Sequence, residues 1–266
     1  MARARRLRLP VASVHRARRA LRARLAAGER VVGTFVKLPS TDVVELAAAS
    51  GFDVVVVDLE HSTLGEADAI GLVRTADLLG LPALVRLPDV DEGLVTRLLE
   101  NGAAGIQLSS LDAAATTRAL RAAVTSGPGG RRSVSLAHRV AGFGAVGLAD
   151  HLAAEAADPP LLVGQIEGPV RDPLADVLPG LDVAFVGTTD LTVSLGLPPG
   201  DPAVAEQVGV VLDAARSLGI PAGGWAPSTD RAAALGLADA GYLLVGSDLQ
   251  FLGAALRAAR THPEDA

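Results

Sequence analysis

Four consecutive valines, Val54 to Val57, run directly into Asp58-Leu59-Glu60-His61. β-Branched side chains at successive positions suit a strand enclosed on both faces, as in a parallel sheet, and not the alternating pattern of a half-solvated strand. The strand is expected over residues 53–60. Because side chains alternate along a strand, Asp58 and Glu60 leave it on the same side. This end reads in two ways: as a concave polar site, or as a solvated loop in which Ser62 or Thr63 caps the next helix.

The rest of the chain repeats this unit. Apolar runs at 31–36, 82–88, 105–110, 161–167, 183–187, 222–226 and 242–246 predict seven further strands. Helical periodicity covers 39–50, 65–80, 91–101, 112–125, 148–157, 169–179, 202–218, 229–239 and 251–260. Gly102 stands just past a helix end, where glycine is favoured, and Pro202 at a helix start, where proline fits. Residues 126–147 form one long irregular stretch, of a length usually functional or disordered. Strict strand–helix alternation over 266 residues predicts an α/β chain of the (β/α)8 TIM-barrel type. An open doubly wound sheet is the other topology, but no G-x-G-x-x-G follows the first strand. The expected division is a basic N-terminal extension over 1–20 and a single barrel domain over 21–266.

Charge and composition narrow the function classes. Ten arginines fall in the first 30 residues although the formal net charge is −6. A plain surface helix over 17–25 or a loose extension accounts for them; polyanion binding is the other reading, and 3% aromatics leave little for base stacking. No nucleic-acid partner is expected. Nor is a membrane, since no apolar run approaches the length of about 18 residues that a bilayer requires. The first 30 residues lack the apolar core of a secretory signal. The chain has no cysteine, which excludes disulfides and thiolate metal sites and suits a reducing cytoplasm.

In a barrel the charged residues at the strand ends face one mouth. Here they are Lys37, Asp58, Glu60, His61, Arg86, Gln165, Glu167, Asp190 and Asp248. Glu167 and Asp190 end strands five and six, so they are expected across one inter-strand spacing of roughly 5 Å. Two carboxylates with waters suit a hard divalent cation such as Mg²⁺ or Mn²⁺; two helix N-caps are the plain alternative. Asp58, three residues before His61, fits a carboxylate that orients an imidazole and frees its other nitrogen as a base. Arg86 ends an apolar strand, where an unpaired cation is expensive, so it must meet Asp58, Glu60 or an oxyanion of the substrate. Lys37 is the only lysine, so a Schiff-base mechanism rests on it alone. The glycines at 223, 224 and 246 stand where many barrels hold a phosphate, or serve only as turns.

Four segments together resemble a known family. Val57-Asp58-Leu59-Glu60-His61, Val85-Arg86-Leu87-Pro88, Gly164-Gln165-Ile166-Glu167 and Val186-Gly187-Thr188-Thr189-Asp190-Leu191 occur in the order and spacing of the HpcH/HpaI aldolase/citrate lyase family. The resemblance runs from about residue 21 to 259. It implies a metal-dependent class II aldolase on a (β/α)8 barrel, a homo-oligomer (hexamer or trimer) whose last helix is exchanged between subunits. By this resemblance Glu167 and Asp190 hold Mg²⁺, Mn²⁺ or Co²⁺, His61 is the base, Asp58 its acidic partner, and Arg86 stabilises the enolate. Gln165 stands beside the metal, and the backbone of Gly187, Thr188, Thr189 and Asp190 helps to hold the substrate carboxylate.

The implied partners are a small 2-oxo acid, such as pyruvate, and an aldehyde. A carbon–carbon lyase or decarboxylase acting on an acyl-CoA is the alternative, with Arg131, Arg132 and Arg139 as the basic residues such a substrate needs. A barrel that binds a small acid without turnover is a third reading, which the base His61 argues against. Three segments depart from the family pattern. Gly-Pro-x-Asp-Leu-Ser becomes Gly187-Thr-Thr-Asp-Leu-Thr192, a Val-Pro-Met-type segment becomes Gln107-Leu-Ser-Ser110, and Gly-x-Arg-Gly-x-Gly becomes Gly130-Arg-Arg-Ser-Val-Ser135. All three are expected around the mouth, so the acceptor is expected to differ from the usual family aldehyde.

Overall fold

The structure, a computed structural model, describes residues 13–260. The arginines at 3, 5, 6 and 8, and with them most of the expected basic extension, lie outside the described residues.

The elements follow in order: helix α1 (Ser13–Ala26), strand β1 (Val31–Val36), α2 (Thr41–Ala49), β2 (Val54–Asp58), α3 (Glu66–Leu79), β3 (Ala83–Leu87), α4 (Glu92–Glu100), β4 (Gly105–Leu108) and α5 (Ala114–Val124). After the long connection come α6 (Leu148–Ala157), β5 (Leu161–Ile166), α7 (Leu174–Val177), β6 (Val183–Val186), α8 (Thr188–Ser194), α9 (Pro202–Ser217), β7 (Ala222–Ala226), β8 (Tyr242–Ser247) and α10 (Asp248–Arg260). The eight strands are parallel and close in sequence order, β1 pairing with β8. The chain is the (β/α)8 barrel that the alternation predicts.

Some boundaries moved, for local reasons. The helix expected over 169–179 shrinks to α7, because Pro169 and Pro173 disfavour a helical residue before them and Pro173 becomes the N-cap. The one expected over 229–239 is two short 3₁₀ turns, Thr229–Arg231 and Ala233–Leu235, ended by Gly236 at φ 75°. The exit after β6, read as a loop, winds into α8. The expected division after residue 20 falls inside the continuous helix α1.

The barrel has two apolar compartments, and β2 feeds both. Val54 and Val56 point into the barrel with Phe35, Leu84, Val163, Phe185, Tyr242 and Leu244. Val55 and Val57 pack outward under the helices with Val85, Ile106, Leu72 and Leu98. A run of four valines is thus what a strand needs when neither face meets water. Glycine is required where the interior is tightest: a Cβ on Gly223 would lie 1.5 Å from the Tyr242 carbonyl oxygen. That glycine serves the strand packing.

Helix α1 is not a plain surface helix. Val14, Leu21 and Leu25 join the inner core, and the Arg18 side chain is fully buried. Its guanidinium donates to the carbonyls of Ala103 at 2.9 Å, Ala104 at 3.2 Å and Asp158 at 3.2 Å, and to Glu155 at 3.0 Å. Arg132 donates to the other Glu155 oxygen at 2.5 Å. Burial alone would push the Glu155 carboxyl up, but Arg18, Arg132 and His15 hold it at about 2. Arg19, Arg22 and Arg24 pair with Asp158, Asp182 and Asp53. Much of the basic segment is therefore neutralised by the barrel floor it closes.

The long connection, 126–147, is anchored in part at this floor. Arg139 pairs with Asp77 near the end of α3, and Val140 donates to the Glu100 carbonyl at the end of α4. Arg132 is committed to Glu155, and Arg131 pairs on the surface with Glu92. Arg132 and Arg139 are thus engaged at the floor and not at the mouth, where the sequence reading expects them, while Arg131 is held beside the first residue of α4. Among the described residues no helix is long and apolar enough to cross a membrane.

Arg18→Ala is expected to lose about 3–5 kcal/mol in urea unfolding, because it removes one of the cations that hold Glu155 and leaves the carbonyls of Ala103 and Asp158 without their guanidinium donor, while Arg16→Ala on the exposed face of α1 shifts stability by less than about 0.5 kcal/mol.

Candidate active site

The inward-facing positions change character along the barrel. Below they are apolar; above, at the C-terminal strand ends, they are Lys37, Asp58, Arg86, Gln107 and Gln165. Register sets them side by side: Asp58 lies level with Arg86, and Arg86 with Gln107. Above them opens a cavity of about 460 Å³, lined by Lys37, His61, Arg86, Gln165 and Asp190 among others. A larger cavity of about 540 Å³ lies at the opposite end, but its Arg22 and Asp182 are paired with each other. The chemistry gathers at the smaller one.

Asp58 and Arg86 form the centre of this layer. Arg86 Nε donates to Asp58 Oδ1 at 2.9 Å and Nη2 to Oδ2 at 2.6 Å, the bidentate geometry in which a planar guanidinium pairs best. Nη1 stands 3.2 Å from Glu60 Oε2, and the guanidinium carbon 4.4 Å from the centre of the Phe35 ring. The Asp58 side chain is fully buried and takes further contacts from Lys37 Nζ at 3.1 Å and from the backbone N–H groups of Glu60 and His61 at 3.0 and 3.1 Å. Burial would raise its carboxyl; Arg86, the His61 N–H and Lys37 outweigh this and hold it at about 2.

This differs from the expected pairing of Asp58 with the His61 imidazole. Asp58 grips the backbone of His61, and its oxygens are filled by Arg86 and Lys37. The imidazole reaches outward, 58% exposed, with Nε2 3.9 Å from Glu60 Oε2. The nearest carboxylate to the ring is therefore Glu60. Lys37, bound to Asp58 and to the His61 carbonyl at 3.2 Å, is engaged in holding the β2 exit. Asp248 accepts from the N–H groups of Lys37 and Leu38, both at 2.8 Å, and so fixes the β1 exit to the start of α10.

Across the mouth, Glu167 follows β5 and Asp190 sits in the first turn of α8. Asp190 is thus one helical turn beyond the strand end, where the sequence reading had placed it directly level with Glu167. Glu167 Oε2 accepts from the N–H and the Oγ of Ser110, both at 2.9 Å, and Oε1 accepts from the Gln165 amide. Gln165 in turn accepts from Gln107 Nε2 at 2.6 Å. A Cβ on Gly187 would lie 2.7 Å from Glu167 Cγ, so glycine there makes the room in which this carboxylate lies. Burial, with a smaller contribution from the charge of Glu60, raises the Glu167 carboxyl above its ordinary range despite its hydrogen bonds. The Gly187 N–H donates to the Ile166 carbonyl, so Thr188 and Thr189 carry the first N–H groups that the helix does not use.

Among the described residues no basic side chain pairs with Glu167 or Asp190, and no three His, Cys, Asp or Glu side chains form a metal cage. Two hard, uncompensated carboxylates beside an amide fit a cation that keeps waters and takes ligands from the substrate, as Mg²⁺ does. They do not fit a closed structural metal site.

The HpcH/HpaI aldolase/citrate lyase profile matches residues 31–249. Among curated relatives, the hydroxypyruvate/pyruvate aldolase of Sagittula stellata is 33% identical over 210 residues, 76% of this chain and 81% of that protein. The 4-hydroxy-2-oxovalerate aldolase of Rhodococcus jostii is 31% identical, covering 86% of this chain and 89% of that protein. Among solved structures, an HpcH/HpaI aldolase/citrate lyase family protein from Burkholderia cenocepacia superposes with a TM-score of 0.82 at 28% identity, covering 90% of this chain and 97% of that one.

Because the folded Asp58 carboxyl sits at about 2 against its ordinary 3.8, its stabilisation is full above pH 4 and is lost as pH falls through about 2. At about 1.4 kcal/mol per unit this contribution is about 2 kcal/mol. Asp58→Asn should therefore be less stable at pH 7 and lose less stability between pH 4 and pH 2 than the parent; urea titrations giving parallel curves over that window would refute the pairing energetics.

Proposed function

The chain belongs to the HpcH/HpaI aldolase/citrate lyase family and is a carbon–carbon lyase, and from this we propose that it forms the enolate of pyruvate or a related 2-oxo acid and adds it to, or releases it from, an aldehyde. One observation carries the reading: a single cavity joins Arg86 and His61, from β3 and β2, to Asp190 and to Gln165, whose amide holds Glu167. The relatives named as aldolases of pyruvate, hydroxypyruvate and 4-hydroxy-2-oxovalerate support a 2-oxo acid as donor.

Glu167 and Asp190 would hold a divalent cation, Mg²⁺, Mn²⁺ or Co²⁺, with Gln165 beside it. Once bound, that cation supplies Lewis acidity to the substrate's keto and carboxylate oxygens and so acidifies the adjacent carbon. The remaining work falls to side chains. His61, exposed to the cavity, takes the proton from that carbon and returns it in the reverse direction. Arg86 has five N–H donors, of which two are committed to Asp58, so others remain to meet the enolate oxygen. Asp58 acts by holding the guanidinium in place, and through the His61 backbone it also fixes the loop that carries the base. The N–H groups of Thr188 and Thr189 receive the substrate carboxylate. Lys37, already bound to a carboxylate, is not required as a Schiff-base amine.

Assembly as a homo-oligomer, trimer or hexamer, is part of the same proposal. Helix α10 leaves Leu249, Phe251, Leu252 and Leu256 exposed, an apolar face that exchange with a second copy would cover. The lack of cysteine supports a cytoplasmic setting.

Proton exchange at pyruvate C3 in D₂O, followed by NMR, tests the chemistry: exchange is expected with Mg²⁺ or Mn²⁺ and not with excess EDTA. His61→Ala should slow it by at least about 100-fold with metal affinity retained. Glu167→Ala or Asp190→Ala should lose both. No exchange with any cation would reject pyruvate as the donor.

A further inference from the structure

β4 ends at Leu108 and runs on into Ser109 and Ser110, so that Gln107-Leu108-Ser109-Ser110 stands where the family pattern carries an apolar, proline-containing segment. We propose that Ser109 and Ser110 are positioning residues that hold one mouth carboxylate each: Ser110 aims Glu167 at the cation, and Ser109 holds Glu60 against Arg86. This deepens the reading above and rests on its assignment of Glu167.

The first observation is a backbone outlier. Ser110 has φ 50°, in the left-handed region, which a side chain on Cβ disfavours and proline cannot enter. Among the described residues only Phe143 shares that region without being glycine. A connection that needed only to turn here would take glycine, which adopts this conformation freely. Serine keeps the turn and adds a hydroxyl. The turn brings that hydroxyl and the serine's own N–H to the same atom, Glu167 Oε2, at 2.9 Å each. Strain retained beside a reactive site is a pointer to function.

The second observation is independent. Ser109 is 2% exposed, and its Oγ lies 2.7 Å from Glu60 Oε1 and 3.2 Å from the Leu87 carbonyl oxygen. A hydroxyl has one proton, and the shorter, charge-assisted contact takes it. Glu60 is thereby fixed with its other oxygen 3.2 Å from Arg86 Nη1. Two successive residues after β4 thus restrain two carboxylates, one that follows β2 and one that follows β5. Gln107, two residues earlier, restrains Glu167 from its other side through Gln165.

The test measures Mn²⁺ affinity by calorimetry, the kcat and KM of pyruvate C3 exchange, and the thermal midpoint. Ser110→Ala is expected to weaken Mn²⁺ binding about 10-fold, as loss of a ligand's hydrogen-bond partner does, with the midpoint unchanged. Ser110→Gly, which keeps the backbone conformation and the N–H and so folds regardless, should weaken it likewise. Ser109→Ala should leave Mn²⁺ affinity within about twofold and lower kcat about 10-fold at constant KM, and Ser109→Thr, which restores a hydroxyl, should recover it. Wild-type Mn²⁺ affinity in both Ser110 variants, with affinity lost in Glu167→Ala, overturns the Ser110 half alone. Wild-type kcat in Ser109→Ala overturns the Ser109 half. Retained affinity in Glu167→Ala overturns the proposal together with the cation assignment.

Discussion

An arginine placed inside the upper barrel must be neutralised there, and much of the mouth follows from how this is done. The guanidinium of Arg86 is almost fully buried, resting on the face of Phe35. It is stable there because Asp58 meets it with both oxygens and Glu60 approaches from a third direction. Lys37 adds a second cation to Asp58. Two cations and two carboxylates then balance on the β1–β3 arc. Across the cavity, Glu167 and Asp190 have only neutral donors or none. The mouth is divided into a compensated half that grips its own charges and a half whose carboxylates no basic side chain compensates among the described residues.

The other end of the barrel solves the same electrostatic problem to a different purpose. Glu155 is shared by Arg18 and Arg132 under the floor, with His15 Nε2 at 3.5 Å. The charges of this cluster pair with one another, so it closes the barrel and binds helix α1 to it. Arg18 reaches the carbonyls of Ala103 and Ala104 just before β4, the strand whose far end carries Ser109 and Ser110. A floor locked by buried charge and packed side chains keeps strand registers fixed. That rigidity is what allows partners from different strands to meet at the mouth.

The barrel was legible because its causes are local. Alternating apolar runs and helical periodicity carry the strand order, and each valine of β2 declares a face without reference to any other strand. Errors fell where a short-range signal outweighed the pattern, as with Pro169 and Pro173 before α7 or Gly236 after the 3₁₀ turns. Of the candidate site, the residues at the strand ends were legible as a set, and Asp58 and Glu60 stood among the partners open to Arg86, but the role of Asp58 toward His61 was not legible. Asp58 was read with His61 because the two stand three positions apart, whereas it faces Arg86, 28 positions away and level with it in the sheet. Ser109 and Ser110 stood in the sequence as a departure without a role; only the turn at Ser110 shows what a hydroxyl there touches.

The sequence by itself determined the strand–helix rhythm, the closed parallel architecture and the types of group available at the mouth, since these depend on residue type and spacing along one chain. The tertiary structure decided which charges pair, what holds the arginines of the long loop and which carboxylates stay uncompensated. Those outcomes depend on register and closure, which bring together side chains far apart in sequence at distances of about 3 Å, where hydrogen bonding and desolvation choose the partner.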